Sequence, residues 1–239
     1  MRRTVEGQAA GIGAGVRWKR GVQRERAKVL PPVDGKMGRV KLVAFDLDGT
    51  LIRGDTACLA IARQIGKYDR MLEFEDCDTR DCVVAARQEM ARWYMESGKR
   101  TVTEACGRVA FAPGAMEAVA ALHASGVETV VLSMTWSFAV ERVAAKLGIG
   151  QWAGTSLDFE SGEIEHFWAA DKAAWLRRAM EDRGLASSEV AAVGDSAGDF
   201  PMLELAGTGV FVGGANPAIS GVRHMPAADL KDVSRFLMA

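Results

Sequence analysis

Three aspartates at the ends of apolar segments could form a metal site. Asp46 and Asp48 lie two residues apart where one apolar run ends, and Asp195 follows another. Carboxylates this close repel one another unless a proton or a cation is present, and several of them form the hard oxygen set that Mg²⁺ prefers. Asp199, four residues after Asp195, is placed to support such a site from behind.

Groups suited to a phosphoryl anion accompany these carboxylates. Gly49-Thr50 predicts a tight turn directly after the first two acids, and its backbone N–H groups can face an anion. Ser133 offers a hydroxyl donor at the end of a further apolar run, and Lys172 offers a positive charge near the start of a predicted helix. The combination predicts in-line phosphoryl transfer assisted by a divalent metal.

Continuous apolar runs predict the strands that position these groups. Runs of this kind are typical of buried parallel strands, and they occupy residues 40–45, 128–132, 190–193 and 209–212. Helical patterns separate them, at residues 114–124, 140–147 and 172–183. The alternation predicts an α/β fold, in which a Rossmann-like parallel sheet has helices on both faces and binds ligands at the carboxyl ends of its strands.

An insertion interrupts the alternation directly after the first strand. Residues 53–111 show helical patterns without a clear strand, so we expect a small helical cap domain over the carboxyl edge of the sheet. Residues 37–52 and 112–239 then form the α/β core. Residues 1–36 contain nine basic and three acidic residues, which predicts a basic, flexible tail with a net charge of +6.

Composition limits the possible classes of protein. The chain of 239 residues is 49% hydrophobic and 26% charged, which excludes wholesale disorder. Its net charge of −1 gives no argument for nucleic-acid binding, although the basic tail leaves binding of an anionic polymer open as an alternative. No stretch approaches the roughly 18 apolar residues of a membrane span, and no signal-peptide pattern is present. We therefore expect a cytoplasmic protein with free cysteines; its oligomeric state is left open.

The order and spacing of these motifs resemble those of the haloacid dehalogenase-like hydrolases. The resemblance lies in residues 46–50, the strand ending at Ser133, Lys172, and residues 194–199. Within that superfamily, the chain looks most like the phosphoserine-phosphatase-like branch, which has a helical cap after its first motif. The resemblance implies a Mg²⁺-dependent phosphatase that acts on a small-molecule phosphomonoester. Transfer of the phosphoryl group to an acceptor other than water would use the same site and stays open.

The resemblance also implies a role for each motif residue. Asp46 would be the nucleophile that forms an aspartyl-phosphate, and Asp48 the general acid and base. Asp46, the backbone carbonyl of Asp48, and Asp195 would bind Mg²⁺. Ser133 and Lys172 would hold the phosphoryl oxygens. Because a halide leaves without a proton, the acid at position 48 favours phosphate esters over haloacids.

Two departures from the branch and two candidate contacts concern the substrate. Met134-Thr135 replaces the Gly-Gly that usually follows the motif-two serine, and Gly198 replaces an asparagine of the fourth motif. Asp55 lies near the position of the acid that the branch uses for a substrate amine. Arg87, which shares a helical stripe with apolar residues, is favoured over Arg92 as the contact for a substrate carboxylate. The sequence does not specify which phosphate ester is the substrate.

Overall fold

The computed structural model describes residues 39–239 of the protein. The prediction of a basic tail at residues 1–36 lies outside them. The strands are β1 (Leu42–Phe45), β2 (Glu128–Trp136), β3 (Trp152–Leu157), β4 (Ile164–Glu165), β5 (Val190–Gly194), β6 (Thr208–Phe211) and β7 (Val222–His224). They form one sheet in the order β4-β3-β2-β1-β5-β6-β7, and only the β3–β4 pair is antiparallel.

The central position of β1 follows from its sequence. All four residues of this strand are buried, and consecutive residues pack into opposite faces of the sheet. Val43 and Phe45 belong to one apolar cluster, whereas Leu42 and Ala44 belong to the other. A strand that is apolar on both faces requires a helical layer on each side. The four predicted strands are present, and β3, β4 and β7 are additions to them.

Nine α-helices occur in the part of the chain that is described. They are α1 (Ala57–Gln64), α2 (Tyr68–Glu75), α3 (Arg80–Ser97), α4 (Lys99–Cys106), α5 (Ala115–Ala124), α6 (Ser137–Leu147), α7 (Ala169–Arg183), α8 (Phe200–Leu205) and α9 (Leu230–Met238). Buried residues of α5, α6 and α9 pack on one face of the sheet, and those of α7 and α8 pack on the other. The predicted fold class, a parallel α/β sheet covered on both faces, is confirmed. None of the helices within residues 39–239 is both long and apolar enough to cross a membrane.

Helices α1–α4, called the cap below, all lie between β1 and α5. The chain segments that lead into and out of this region pair with each other: Arg53 N donates to Ala110 O at 3.0 Å, and Ala112 N donates to Leu51 O at 2.9 Å. Helix α3 also packs onto the core through Tyr94, whose ring makes an edge contact with Trp136 at a centroid distance of 5.6 Å. The exact domain boundaries stay a prediction.

A disulfide joins the end of α2 to the start of α3. Cys77 and Cys82 are bonded, with their Cα atoms 5.5 Å apart, whereas Cys58 and Cys106 are free. The expectation of free thiols is therefore wrong for the first pair. A spacing of four intervening residues does not predict a disulfide. The two sulfur atoms come together because of a tight turn between α2 and α3, and the spacing does not reveal that turn.

This disulfide should stabilise the cap. We expect the double substitution Cys77→Ser and Cys82→Ser to lower the free energy of unfolding by about 2 kcal/mol, because a short cross-link still restricts the unfolded chain. Urea denaturation with and without a reductant measures this. The reductant should lower the stability of the wild-type protein to that of the double variant and leave the variant unchanged. Equal stability of the oxidised wild-type protein and the variant would contradict the expectation.

Candidate active site

The predicted nucleophile, the metal ligand Asp195 and the phosphate-binding residues meet at the carboxyl edge of the sheet. Asp46 directly follows β1 and Asp195 directly follows β5. Strand β2 is longer than predicted, so Ser133 lies within it rather than at its end. Lys172 lies in the first turn of α7, which begins three residues earlier. Asp46, Ser133 and Lys172 are all buried, so the groups form an enclosed polar cluster.

Lys172 lies at the centre of this cluster. Its Nζ atom is 2.6 Å from Oδ1 of Asp46 and 2.6 Å from Oδ1 of Asp199, and only 1% of the residue is exposed. Although burial opposes a positive charge, the two carboxylates raise the pKa of Lys172 above its ordinary value. The amine therefore carries a proton at neutral pH and supplies a fixed positive charge beside Asp46.

Asp199 fixes both the lysine and the loop after β5. Its Oδ2 atom accepts hydrogen bonds from the backbone N–H groups of Asp195 and Ser196, each at 3.0 Å. Its Oδ1 atom accepts from Lys172, so both oxygens have partners. The residue is fully buried. This arrangement agrees with a supporting role, in which Asp199 orients groups that act on the substrate.

The carboxylates form a candidate metal site. One oxygen each of Asp46, Asp195 and Asp199 lies within 4.8 Å of the others. Burial is the main cause that raises the pKa of Asp46, and the negative charge of Asp199 raises it further. The same two causes raise the pKa of Asp195 to about 6. A divalent cation would offset this repulsion, and carboxylate oxygens are the donors that Mg²⁺ prefers. The donor set thus fits a hard divalent ion.

Asp48 points its carboxylate toward the start of the cap rather than into this cluster. Its Oδ1 atom accepts the backbone N–H of Ala57 at 2.7 Å. Burial raises the pKa of Asp48 to about 6, the hydrogen bond from Ala57 lowers it, and the charge of Glu75 raises it. A carboxyl group with such a pKa can carry a proton close to neutral pH, as a general acid must. The metal contact predicted for Asp48 is made by its backbone carbonyl, so it does not depend on where the carboxylate points.

Gly49 permits the close approach of two motif loops. Its φ angle is +82°, which disfavours any residue with a side chain, and a Cβ atom there would overlap the carboxylate of Asp195. The next residue, Thr50, donates its hydroxyl to Oδ1 of Asp195 at 3.3 Å. The turn after β1 therefore contacts the loop after β5 directly.

The loop after Ser133 is tied to both the core and the cap. The carbonyl oxygen of Met134 accepts a hydrogen bond from Nη2 of Arg87 at 2.7 Å and another from the hydroxyl of Thr155 at 2.9 Å. The side chain of Met134 extends over Gly198, where a Cβ atom would lie 2.7 Å from its Cε atom. The two motif positions that depart from the family pattern are thus neighbours in space.

Arg87 is buried among partners on the core. Besides its bond to Met134, its Nη1 atom lies 3.0 Å from Nδ1 of His166, and its guanidinium lies 4.5 Å from the ring centre of Trp168. His166 stacks on the same tryptophan. Burial lowers the pKa of Arg87 to about 10. The structure brings Arg87 to the motif-two loop, and its proposed contact with a substrate carboxylate stays a prediction.

Asp55 is bound to residues of the cap. Its Oδ2 atom accepts from Nη2 of Arg63 at 2.7 Å and from Nε of the same residue at 3.0 Å, and Oδ1 accepts from the hydroxyl of Tyr68 at 3.3 Å. The structure therefore does not bring Asp55 together with the carboxylates of the core. Its assignment to a substrate amine stays a prediction.

Sequence reasoning missed several side chains around the site. His166, Trp168 and Thr155 lie on or next to β3 and β4, strands that were not predicted, so no motif pointed to them. Thr56 and Glu75 contact each other within the cap at 2.9 Å. Thr56 is the N-cap of α1, and a threonine before an apolar helical run is a signal that could have located it.

A parallel sheet covered on both faces, with Asp46 after β1, Asp195 after β5, and a buried Lys172 paired with Asp46 and Asp199, is typical of α/β enzymes that act on phosphoryl groups. Comparisons with known proteins agree with this class. A family model described as haloacid dehalogenase-like hydrolase matches residues 43–204. The chain belongs to this family.

A curated relative at 30% identity specifies the branch, and a solved structure shares the fold. A phosphoserine phosphatase from Albidiferax ferrireducens is 30% identical over 210 residues, covering 82% of this chain and 85% of the relative. One from Archaeoglobus fulgidus is 26% identical over 178 residues, which cover 71% of this chain but only 52% of the relative. A solved phosphoserine phosphatase that contains a phospho-aspartyl intermediate analogue has a TM-score of 0.69 at 20% identity, covering 83% of this chain and 99% of that one. The prediction of a haloacid dehalogenase-like enzyme of the phosphoserine-phosphatase-like branch is confirmed.

Gly49→Ala tests the close approach of the two motif loops. We expect this variant to bind Mg²⁺ about tenfold or more weakly, because groups that orient metal ligands contribute on that scale. Titration calorimetry measures the affinity. Gly54→Ala is the matched control, since Gly54 also has a positive φ angle, +91°, but nothing lies within 4 Å of the added Cβ atom. Equal Mg²⁺ affinities of the two variants would contradict a specific contact at Gly49.

Arg87→Gln tests whether the arginine binds substrate or holds the motif-two loop. Because both Nη atoms already have partners, we expect kcat/KM to fall by the same factor for O-phosphoserine and for p-nitrophenyl phosphate, which has no carboxylate. Stability should fall by about 2 kcal/mol through loss of charged hydrogen bonds. Arg92→Gln, an exposed arginine on the same helix, is the control. A loss confined to O-phosphoserine would instead assign Arg87 to the substrate.

Proposed function

We propose that this protein is a Mg²⁺-dependent phosphatase that hydrolyses a small-molecule phosphomonoester through an aspartyl-phosphate on Asp46. The observation that carries the proposal is the position of the Lys172 Nζ atom, 2.6 Å from carboxylate oxygens of both Asp46 and Asp199. A buried carboxylate paired with a buried ammonium, next to a further carboxylate, is suited to attack phosphorus and to neutralise phosphoryl oxygens. The named relatives support the same chemistry.

In the first step, an oxygen of Asp46 forms a bond to phosphorus while the bond from phosphorus to the ester oxygen breaks. Asp48 gives its proton to the departing oxygen, which leaves as a neutral alcohol. Lys172 and Ser133 donate to the phosphoryl oxygens. Asp46, Asp195 and the backbone carbonyl of Asp48 would hold Mg²⁺, which would supply the positive charge that keeps Asp46 ionised beside the phosphate.

In the second step, Asp48 acts as a base. Its carboxylate accepts a proton from water, whose oxygen attacks phosphorus, and the bond to Asp46 breaks. Inorganic phosphate leaves, Asp46 is regenerated as a carboxylate, and Asp48 is again protonated. Uncatalysed hydrolysis of phosphate monoesters is so slow that the site must contribute on the order of 20 kcal/mol. Dividing the reaction into two displacements reduces the barrier of each.

Three other expectations belong to this proposal. The partner of the enzyme is a small phosphate ester that the cap admits to the site. The location is cytoplasmic. Water is the acceptor of the phosphoryl group, since the relatives are named phosphatases; transfer to another acceptor is the alternative, and the ratio of alcohol to phosphate released tests it. Binding of an anionic polymer by residues 1–36 stays a prediction.

Asp46→Asn tests the nucleophile. We expect it to lower kcat for p-nitrophenyl phosphate by at least about a thousandfold, because the amide cannot form the covalent intermediate. Chelation of divalent ions should abolish wild-type activity, and added Mg²⁺ should restore it. Release of inorganic phosphate measures both effects.

Asp182→Asn serves as the control for this variant, since Asp182 is an exposed residue of α7. It should keep wild-type activity. Activity of Asp46→Asn at the level of this control would remove Asp46 from the mechanism. Full wild-type turnover in the presence of a chelator would contradict the role of the metal.

A further inference from the structure

The first turn of α1 is tied to the core at two points. The backbone N–H of Ala57 donates to Oδ1 of Asp48 at 2.7 Å, in the loop after β1. Ala57 is fully buried, so water does not compete for this N–H. In the next residue, the Sγ atom of Cys58 lies 3.3 Å from the hydroxyl oxygen of Thr135, in β2. Two adjacent residues of the cap therefore contact two different parts of the site.

The contact with Cys58 depends on the side chain of Thr135. Glycine, which the branch usually has at this position, carries no hydroxyl and could not form the contact. The neighbouring tie between cap and core, from Arg87 to the carbonyl oxygen of Met134, uses a backbone atom that every residue supplies. Thr135 therefore adds a cap–core contact that the usual glycine would lack.

Thr135 also contacts the predicted phosphate-binding serine. Its backbone N–H donates to the hydroxyl oxygen of Ser133 at 3.3 Å. A hydroxyl that accepts a hydrogen bond still has its own proton to donate, so Ser133 remains able to donate to a phosphoryl oxygen. One residue thus contacts the serine through its backbone and the first turn of the cap through its side chain.

The bond from Ala57 decides which oxygen of Asp48 carries the proton. Oδ1 accepts the N–H of Ala57, so the proton of a neutral Asp48 lies on Oδ2. In the proposed first step this Oδ2–H bond breaks, and the proton passes to the ester oxygen as the bond from that oxygen to phosphorus breaks. Such a transfer requires the two oxygens to lie within hydrogen-bond reach of each other. The position of Ala57 therefore affects how well Asp48 acts as the general acid.

We propose that Thr135 is a positioning residue for the general acid Asp48. Its hydroxyl holds Cys58 in place, and the N–H of the adjacent Ala57 thereby keeps the carboxyl of Asp48 oriented for proton transfer. This inference rests on the proposed phosphatase function. Without the hydroxyl, the first turn of α1 loses one of its two ties, and Oδ2 departs from the geometry that the transfer needs. The loss concerns departure of the alcohol, which requires the proton, rather than attack by Asp46.

Esters with different leaving groups measure the contribution of the general acid. p-Nitrophenol, phenol and n-propanol have increasing pKa values, so their phosphate esters depend increasingly on a proton from the enzyme. The value of kcat/KM covers the steps up to release of the alcohol and leaves out hydrolysis of the aspartyl-phosphate, which all three esters share. We expect Thr135→Val to lower kcat/KM for n-propyl phosphate about three- to tenfold more than for p-nitrophenyl phosphate, the range for a neutral hydrogen bond. Phenyl phosphate should show an intermediate loss.

Conservative and matched variants separate positioning from general damage. Thr135→Ser keeps the hydroxyl and should retain the wild-type ratio of the kcat/KM values for n-propyl and p-nitrophenyl phosphate. Thr103→Val makes the same change in α4, at a hydroxyl without a hydrogen-bond partner among the described residues, and should also leave the ratio unchanged. An equal loss for all three esters in Thr135→Val would overturn the proposal, since it would indicate general damage to the site.

A double-mutant cycle tests whether Thr135 acts through Cys58. Cys58→Ala removes the other half of the contact and should lower the ratio by about the same factor as Thr135→Val. If the two side chains act through their mutual contact, the double variant should lose no more than either single variant. Additive losses, or an unchanged ratio in Cys58→Ala, would overturn the proposal. Cys58→Ala also carries the test if Thr135→Val does not fold.

Failure of this inference is distinguishable from failure of the proposed function. If the wild-type enzyme hydrolyses these esters and Thr135→Val keeps the wild-type ratio, the role of Thr135 is refuted and the phosphatase remains. If the wild-type enzyme hydrolyses only the two aryl esters, phenyl phosphate takes the place of n-propyl phosphate in the ratio. If it hydrolyses none of the three in the presence of Mg²⁺, the proposed function itself is refuted.

Discussion

A buried ammonium group lies between two buried carboxylates at the carboxyl edge of the sheet, and none of the three charges could be buried alone at an acceptable cost in free energy. Lys172 joins Asp46 to Asp199, and Asp199 in turn holds the backbone of the loop after β5. Three segments that are distant in sequence are thereby fixed in one geometry. With Asp195 added, the cluster contains more negative than positive charge, which makes it receptive to a metal ion.

This charged cluster explains why much of the core could be predicted. The strand that leads to Asp46 must be apolar on both faces, and an aspartate after such a strand has few structural reasons to be there. The same reasoning located Asp195 and, from the helical pattern, Lys172. These groups are expected at one edge of the sheet, because all parallel strands have their carboxyl ends on the same side.

The cap could not be predicted to the same depth. The orientation of a short helix depends on tertiary packing, which a periodic pattern does not contain. Hence Arg87 was placed on the correct helix, but its bonds to Met134 and His166 depend on β3 and β4, two strands whose sequences are only partly apolar. Asp55 was chosen because it lies near the position of the acid that the branch uses for a substrate amine, yet its carboxylate is bound by Arg63. The Cys77–Cys82 bond depends on a turn whose shape the spacing does not reveal.

The contact between Met134 and Gly198 has a consequence for how relatives should be compared. A Cβ atom at position 198 would lie 2.7 Å from Cε of Met134, so a side chain there would require the methionine side chain to move. The atom of residue 134 that joins the cap to the core is its backbone carbonyl oxygen, which any amino acid at this position supplies. Co-variation of these two positions would therefore trace a change in loop packing.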